Sequence, residues 1–209
     1  MYSLSCPGND TALTEKPDSS ILPPDLSTPV DPQPYYRWCF GKVLSREEAH
    51  GFADRLKREG KALVTVNGSF DLLHPGHLVI LSEAKAQGDV LFVGVNSDAS
   101  VRTYKGNGRP IIPEKERIAM LAALSFVDYI ILFDEPEVGR QLLLTVRPHV
   151  HVNGSEYGDP ETWVEWPVMQ EVGARGYRVA RRSGLATTDI IAKIRSLPEV
   201  EDPLLYSLL

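Results

Sequence analysis

The chain has 209 residues, 43% hydrophobic and 24% charged, with a net charge of −6 and a pI near 5.4. That acidic balance argues against a nucleic-acid-binding protein, which carries a basic footprint, and no apolar run reaches the roughly 20 residues that a membrane-crossing helix needs. Two cysteines, Cys6 and Cys39, stand in no metal-ligand or disulfide spacing, and no basic-then-apolar leader opens the chain, so the cytoplasm is the expected location.

Residues 1–34 hold seven of the 16 prolines (Pro7, Pro17, Pro23, Pro24, Pro29, Pro32 and Pro34) among Ser, Thr and Asp. A segment this poor in apolar periodicity cannot offset its ordering entropy and predicts a disordered tail, with a docking segment as the functional alternative. Residues 35–60 change character. The run Tyr35-Tyr36-Arg37-Trp38-Cys39-Phe40 is aromatic and makes a homodimer one expectation. Ser45 with Glu48 forms a capping box that opens a helix over 45–59, with Ala49, Phe52, Ala53 and Leu56 on one face. This extension is expected to pack on the outside of a main domain spanning 61–197.

Within that domain strand and helix patterns alternate: strand 62–67, helix 76–87, strand 90–95, helix 113–124, strand 129–133, helix 136–146, strand 150–152, helix 160–173, strand 176–180 and helix 187–196. Val90-Leu91-Phe92-Val93 is the continuous apolar run of a strand buried on both faces. The alternation predicts an α/β fold of three layers, α/β/α, with a five-stranded parallel sheet and right-handed crossovers. Residues 198–209 form a C-terminal tail without an assigned role.

In such sheets ligands bind beyond the carboxyl ends of the strands. After the first strand come Asn67, Gly68, Ser69, Phe70, Asp71, His74, Gly76 and His77; after the second, Asp98 and then Lys105 in a loop; after the fourth, Asn153 and Gly154; after the fifth, Arg181, with Thr187 and Thr188 opening the last helix. The element His74-Pro75-Gly76-His77 stands at a strand-to-helix turn. Pro75 suits a first helical turn, where its missing N–H costs nothing, and Gly76 lets a ligand approach the backbone. Backbone N–H groups, a positive helix end and two imidazoles then converge on one point suited to a phosphate. A pair of capping or exposed histidines is the plainer alternative, and a zinc site lacks a third ligand. Neither G-x-G-x-x-G nor G-x-x-x-x-G-K-[ST] occurs, which excludes the usual dinucleotide and P-loop sites.

The stretch Asn67 to His77 resembles the signature of the cytidylyltransferase-like nucleotidyltransferases, with their H-x-G-H element. The blocks Asn96-Ser97-Asp98 to Arg109-Pro110, Glu116-Arg117, and Arg181 to Ile191 are similar to the later blocks of that family, in order. Within it, the chain is most similar to the bacterial heptose 1-phosphate adenylyltransferase domain, followed by the cytidylyltransferases that act on glycerol 3-phosphate or ethanolamine phosphate. The resemblance implies the Rossmann-like HUP fold and attack of a phosphomonoester on the α-phosphate of an NTP, ATP favoured and CTP the alternative, with release of pyrophosphate. It implies catalytic roles for His74, His77 and Lys105. Asn67, Gly68, Ser69, Phe70, Gly76, Asn153, Gly154, Arg181, Thr187 and Thr188 would hold the nucleotide. Asp71, Asp98 and Arg117 would face the substrate, Arg117 either binding phosphate or pairing with Glu114. Mg²⁺ would be bridged mainly by NTP phosphates, with no organic cofactor. Three departures stand out: Asn153 where the family usually has lysine, Leu185-Ala186 where Ile-Ser is usual, and the segment Trp163-Val164-Glu165-Trp166, read as helix packing or as a distinct acceptor pocket. They leave open a nucleotide-binding regulator without turnover.

Overall fold

The computed structural model describes Cys39, residues 41–180 and residues 186–197. Ser45 caps the first helix, α1 (Arg46–Arg58), through the expected capping box: its hydroxyl accepts from the Glu48 N–H at 3.2 Å and Glu48 accepts from the Ser45 N–H at 2.8 Å. Two of the N–H groups that every helix start leaves unpaired are thereby satisfied. Strands β1 (Leu63–Gly68), β2 (Val90–Asn96), β3 (Tyr129–Phe133), β4 (Val150–Gly154) and β5 (Arg175–Val179) alternate with α2 (Pro75–Lys85), α3 (Asp98–Lys105) and α4 (Glu114–Ala122), α5 (Val138–Val146) and α6 (Trp166–Val172); α7 (Thr187–Arg195) follows β5. The five strands pair in parallel in the order β3-β2-β1-β4-β5.

Both faces of the sheet are covered, as the unbroken apolar strands require. Leu81 and Ala84 of α2 and Leu121 of α4 pack on Val64, Val66, Leu91 and Val93. On the opposite face Ala49, Ala53 and Leu56 of α1 join Leu142 and Val146 of α5 against Leu63, Phe92, Ile131 and Phe133. Each such Leu, Val, Ile or Phe side chain, buried from water, contributes about 1.5–3 kcal/mol of transfer free energy. Trp163 is drawn into a third cluster with Leu143, Val168 and Met169. The segment before α1 guards the β3 edge: the Ile130 N–H donates to the Lys42 carbonyl at 2.7 Å and the Leu44 N–H to the Ile130 carbonyl at 2.9 Å, which blunts an otherwise open row of donors and acceptors.

Two expectations about elements need correction. Lys105 does not lie in a loop: Ser97 caps α3, its hydroxyl accepting from Ser100, and Lys105 closes that helix. The single helix expected over 160–173 is instead a short 3₁₀ turn over Pro160–Thr162, an extended Trp163 (ψ 146°) and α6, which begins at Trp166 with Pro167 in its first turn.

Candidate active site

Strand order reverses between β1 and β4. From β1 the chain winds out through β2 to β3, and the later strands extend the other way. The loops leaving β1 and β4 part there and open a crevice at the carboxyl ends of the two strands. A cleft of about 1200 Å³ occupies it, bounded by the β1–α2 turn, the end of α3, the starts of α5 and α7, and the β4–α6 connection.

His74 is the N-cap of α2, with extended backbone (φ −140°, ψ 165°), and Pro75 takes the first helical position. This places His77 one turn on, directly over the cap. The two imidazoles stack with centroids 3.8 Å apart and planes 24° from parallel, and the Phe70 ring flanks His77 at 5.4 Å. The His74 N–H donates toward His77 Nδ1 at 3.4 Å. Burial, followed by the nearby His74 and Lys105, lowers the His77 pKa to about 4, against an opposing pull from Asp71. His77 is therefore neutral at physiological pH. With Nδ1 accepting, its proton sits on Nε2, which leaves that atom as a hydrogen-bond donor.

The turn that presents this pair is strained and tied down. Phe70 and Leu72 both take left-handed backbone (φ 48° and 47°), at a cost of about 1–3 kcal/mol each for residues other than glycine. Between them Asp71, buried at 1% exposure, accepts from Arg109 Nε at 2.6 Å and from the N–H groups of Ile111 and Ile112 at 3.0 and 2.9 Å. Burial pushes its carboxyl up, but these donors more than reverse that and hold it below the usual carboxylate range. The Asp71 carbonyl accepts in turn from the Thr187 hydroxyl at 2.9 Å. One residue thus clamps the histidine turn to the α3–α4 loop and to the start of α7.

Lys105 reaches across the cleft mouth to Ser69 Oγ at 2.8 Å. Partial burial lowers its pKa, with Arg109 and Arg117 adding to this and Asp71 opposing it. Thr187 and Thr188 line the cleft beside Ala186, the N-cap of α7. Ala186 has no hydroxyl for the cap; Asp189 accepts from its N–H at 3.1 Å instead. Arg181 and Leu185 lie outside the described residues.

The structure brings Asn67, Gly68, Ser69, Phe70, His74, Gly76, His77, Lys105, Asn153, Gly154, Thr187 and Thr188 to this one cleft. Asp71, Asp98 and Arg117 are not among the residues that line it. Arg117 is fully buried and spends its guanidinium internally, on Asp98 and the Asn96 carbonyl (2.8 Å each), the Ile112 carbonyl (3.0 Å) and the Ser69 carbonyl. It does not pair with Glu114, whose carboxylate accepts from the Asp98 N–H at 2.7 Å. Asp71 is engaged by the three donors described above.

Other lining residues carried no signal in the sequence beyond position. Tyr104, Glu137, Arg140, Tyr157 and Glu165 all border the cleft. Burial raises the Glu165 carboxyl above its usual range, drawn back only in part by a backbone N–H and by Asn153. The Asn153 amide nitrogen lies near enough to have that influence, yet it makes no hydrogen bond of ordinary geometry and is buried. Neither Trp163 nor Trp166 lines the cleft: Trp163 packs in the third cluster and donates from Nε1 to the Gly158 carbonyl at 3.1 Å.

The cytidylyltransferase-like family model matches residues 65–193, a span that holds the histidine turn, Lys105 and the α7 start. The chain belongs to the cytidylyltransferase-like family. It carries a nucleotidyltransferase domain, and its H-x-G-H element stands at the helix start described above. Among curated relatives, the bifunctional protein HldE of Geotalea uraniireducens is 48% identical over 140 residues, 67% of this chain and 28% of that protein. The HldE of Syntrophotalea carbinolica is 42% identical over 153 residues, 73% of this chain. The chain spans just under a third (31%) of the latter relative's length. A solved pantoate-β-alanine ligase from Francisella tularensis shares the fold, at a TM-score of 0.51 and 14% identity over 78% of this chain and 82% of its own.

Proposed function

We propose that the domain transfers an adenylyl group from ATP to a phosphorylated sugar such as heptose 1-phosphate, forming a nucleotide-diphospho-sugar and pyrophosphate. The observation that carries this reading is the stacked His74–His77 pair at the start of α2, opposite Lys105 in a cleft at the sheet's switch point. Likeness to the HldE proteins supports the choice of acceptor. An acceptor phosphate oxygen attacks the α-phosphorus of ATP, and the bond to the β,γ-pyrophosphate breaks. Such transfer needs positioning and stabilisation of developing negative charge more than covalent help. His77 Nε2–H and the N–H groups of the α2 first turn donate to the phosphates, Lys105 neutralises charge, and the α7 start holds the triphosphate tail.

Asp71 is closed off, and among the described residues no group of three His, Cys, Asp or Glu side chains is spaced to hold a metal. Magnesium would arrive with the nucleotide and be ligated chiefly by phosphate oxygens, as that ion favours. Pyrophosphate release with ATP and CTP, each paired with heptose 1-phosphate and glycerol 3-phosphate, tests the proposal. Turnover with CTP and glycerol 3-phosphate alone would replace it with the phospho-alcohol reading. Nucleotide binding without pyrophosphate in any pairing would make the domain a regulator.

A further inference from the structure

The β4–α6 connection places two acidic side chains, Glu156 and Glu165, along the cleft, and phosphate chemistry calls for neither. Glu165 is the N-cap of α6 and lines the cleft. Its side chain lies so close over Gly139 that a Cβ there would stand 2.3 Å from Oε1 and 2.7 Å from Cγ. Among the described residues it has no ion-pair partner. Asn153, 5% exposed, borders the same cleft with its amide nitrogen unpartnered. Buried polar groups in folded chains are normally satisfied, so the Asn153 amide nitrogen, beside Glu165 and without a hydrogen bond of ordinary geometry, marks a place that a ligand completes.

We propose that Glu165, with the Asn153 amide beside it, is a specificity-determining residue that reads the hydroxyl groups of the acceptor. This deepens the phosphosugar reading above and rests on it. The cationic and N–H donors (His77, Lys105 and the starts of α2 and α7) take the phosphates. A carboxylate on the α5–α6 side repels phosphate and so faces an uncharged part of the substrate. An ionised carboxylate only accepts hydrogen bonds and has room for two or more donors, which suits neighbouring hydroxyls on a sugar ring. The amide nitrogen of Asn153 supplies the complementary donor to a ring or hydroxyl oxygen. Gly139 is the only residue type that leaves space for Glu165 to lie flat on α5.

The test uses the full chain and pyrophosphate release with ATP against heptose 1-phosphate, a deoxy analogue of it and glycerol 3-phosphate, for wild type, Glu165→Gln, Glu165→Ala and Gly139→Ala. Melting curves establish that each variant folds. Glu165→Ala is expected to raise the KM for heptose 1-phosphate about tenfold or more and to leave the KM for ATP within about twofold, the loss typical of a charged hydrogen bond. Gly139→Ala, which displaces Glu165 without removing its charge, moves the same constant in the same direction. The deoxy analogue that costs wild type most costs Glu165→Ala little. An unchanged acceptor KM in an active, folded Glu165→Ala overturns the proposal and leaves the phosphosugar reading intact. A KM rise confined to ATP, abolished with 2′-deoxy-ATP, assigns Glu165 to the nucleotide ribose and overturns it as well. If wild type releases no pyrophosphate with any sugar phosphate, the phosphosugar reading fails first and this inference with it.

Discussion

The rings of His74 and His77 stack at 3.8 Å because one is the N-cap of α2 and the other stands at its third helical position. His77→Ala removes the Nε2–H donor while leaving the helix start in place. Turnover is expected to fall about 10²–10³-fold, the loss typical of one transition-state donor, with the melting temperature little changed. Steady-state pyrophosphate release together with a melting curve checks this; a variant that turns over at the wild-type rate removes His77 from the mechanism.

Arg117 joins Asp98 to three backbone carbonyls from the ends of β1 and β2 and the loop before α4. Arg117→Met leaves Asp98, whose side chain is 25% exposed, without its ion-pair partner and strands those carbonyls in the interior. Breaking a buried charge pair in this way costs about 3–5 kcal/mol. Denaturant unfolding should show that loss. A stable variant with weakened nucleotide binding would instead return Arg117 to the substrate.

Asp71→Asn keeps shape but removes the charge that holds Arg109 and the Ile111 and Ile112 N–H groups. Stability should drop by about 1–3 kcal/mol, the cost of leaving buried partners poorly satisfied. The KM for ATP should rise too, since loosening the turn shifts the Asp71 backbone carbonyl that holds Thr187. Unfolding midpoints and ATP titration of the rate read the two effects.

His151 is fully buried, bonded to Thr65 Oγ1 at 2.8 Å, and burial lowers its pKa from 6.5 to about 3. The unfolded chain therefore binds a proton that the folded chain refuses. The resulting stability is fully present above about pH 6.5 and is lost as pH falls toward 3. His77 acts in the same direction down to about 4. For His151 alone, going from about pH 7 to about pH 5 should cost roughly 2 kcal/mol. Unfolding midpoints at the two pH values should differ less in His151→Asn than in wild type, and an equal difference would sink the assignment.

Much of this was legible along the chain. The apolar runs at 62–67 and 90–95 and the box of Ser45 and Glu48 depend on neighbours a few residues away, and local spacing is what periodicity reports. The short helix α3 escaped because its buried side chains are only Ser100 and Val101, too few to show a stripe. The break before α6 is signalled in the sequence by Pro167, which belongs in a first turn.

Local spacing determined the alternating strands and helices and the two histidines at a helix start, because each follows from contacts within one or two turns of chain, and that alternation implied the parallel sheet. Only the tertiary structure decided which charges face the cleft. Lys105 meets Ser69 from 36 residues away, Arg117 turns inward to Ser69 and Asp98, and Asp71 is consumed by a loop 40 residues on. Glu165 reaches Gly139 only because α6 packs against α5. A charged side chain looks the same in sequence whether it binds a ligand or a carbonyl; the order β3-β2-β1-β4-β5 sets which partner lies within reach.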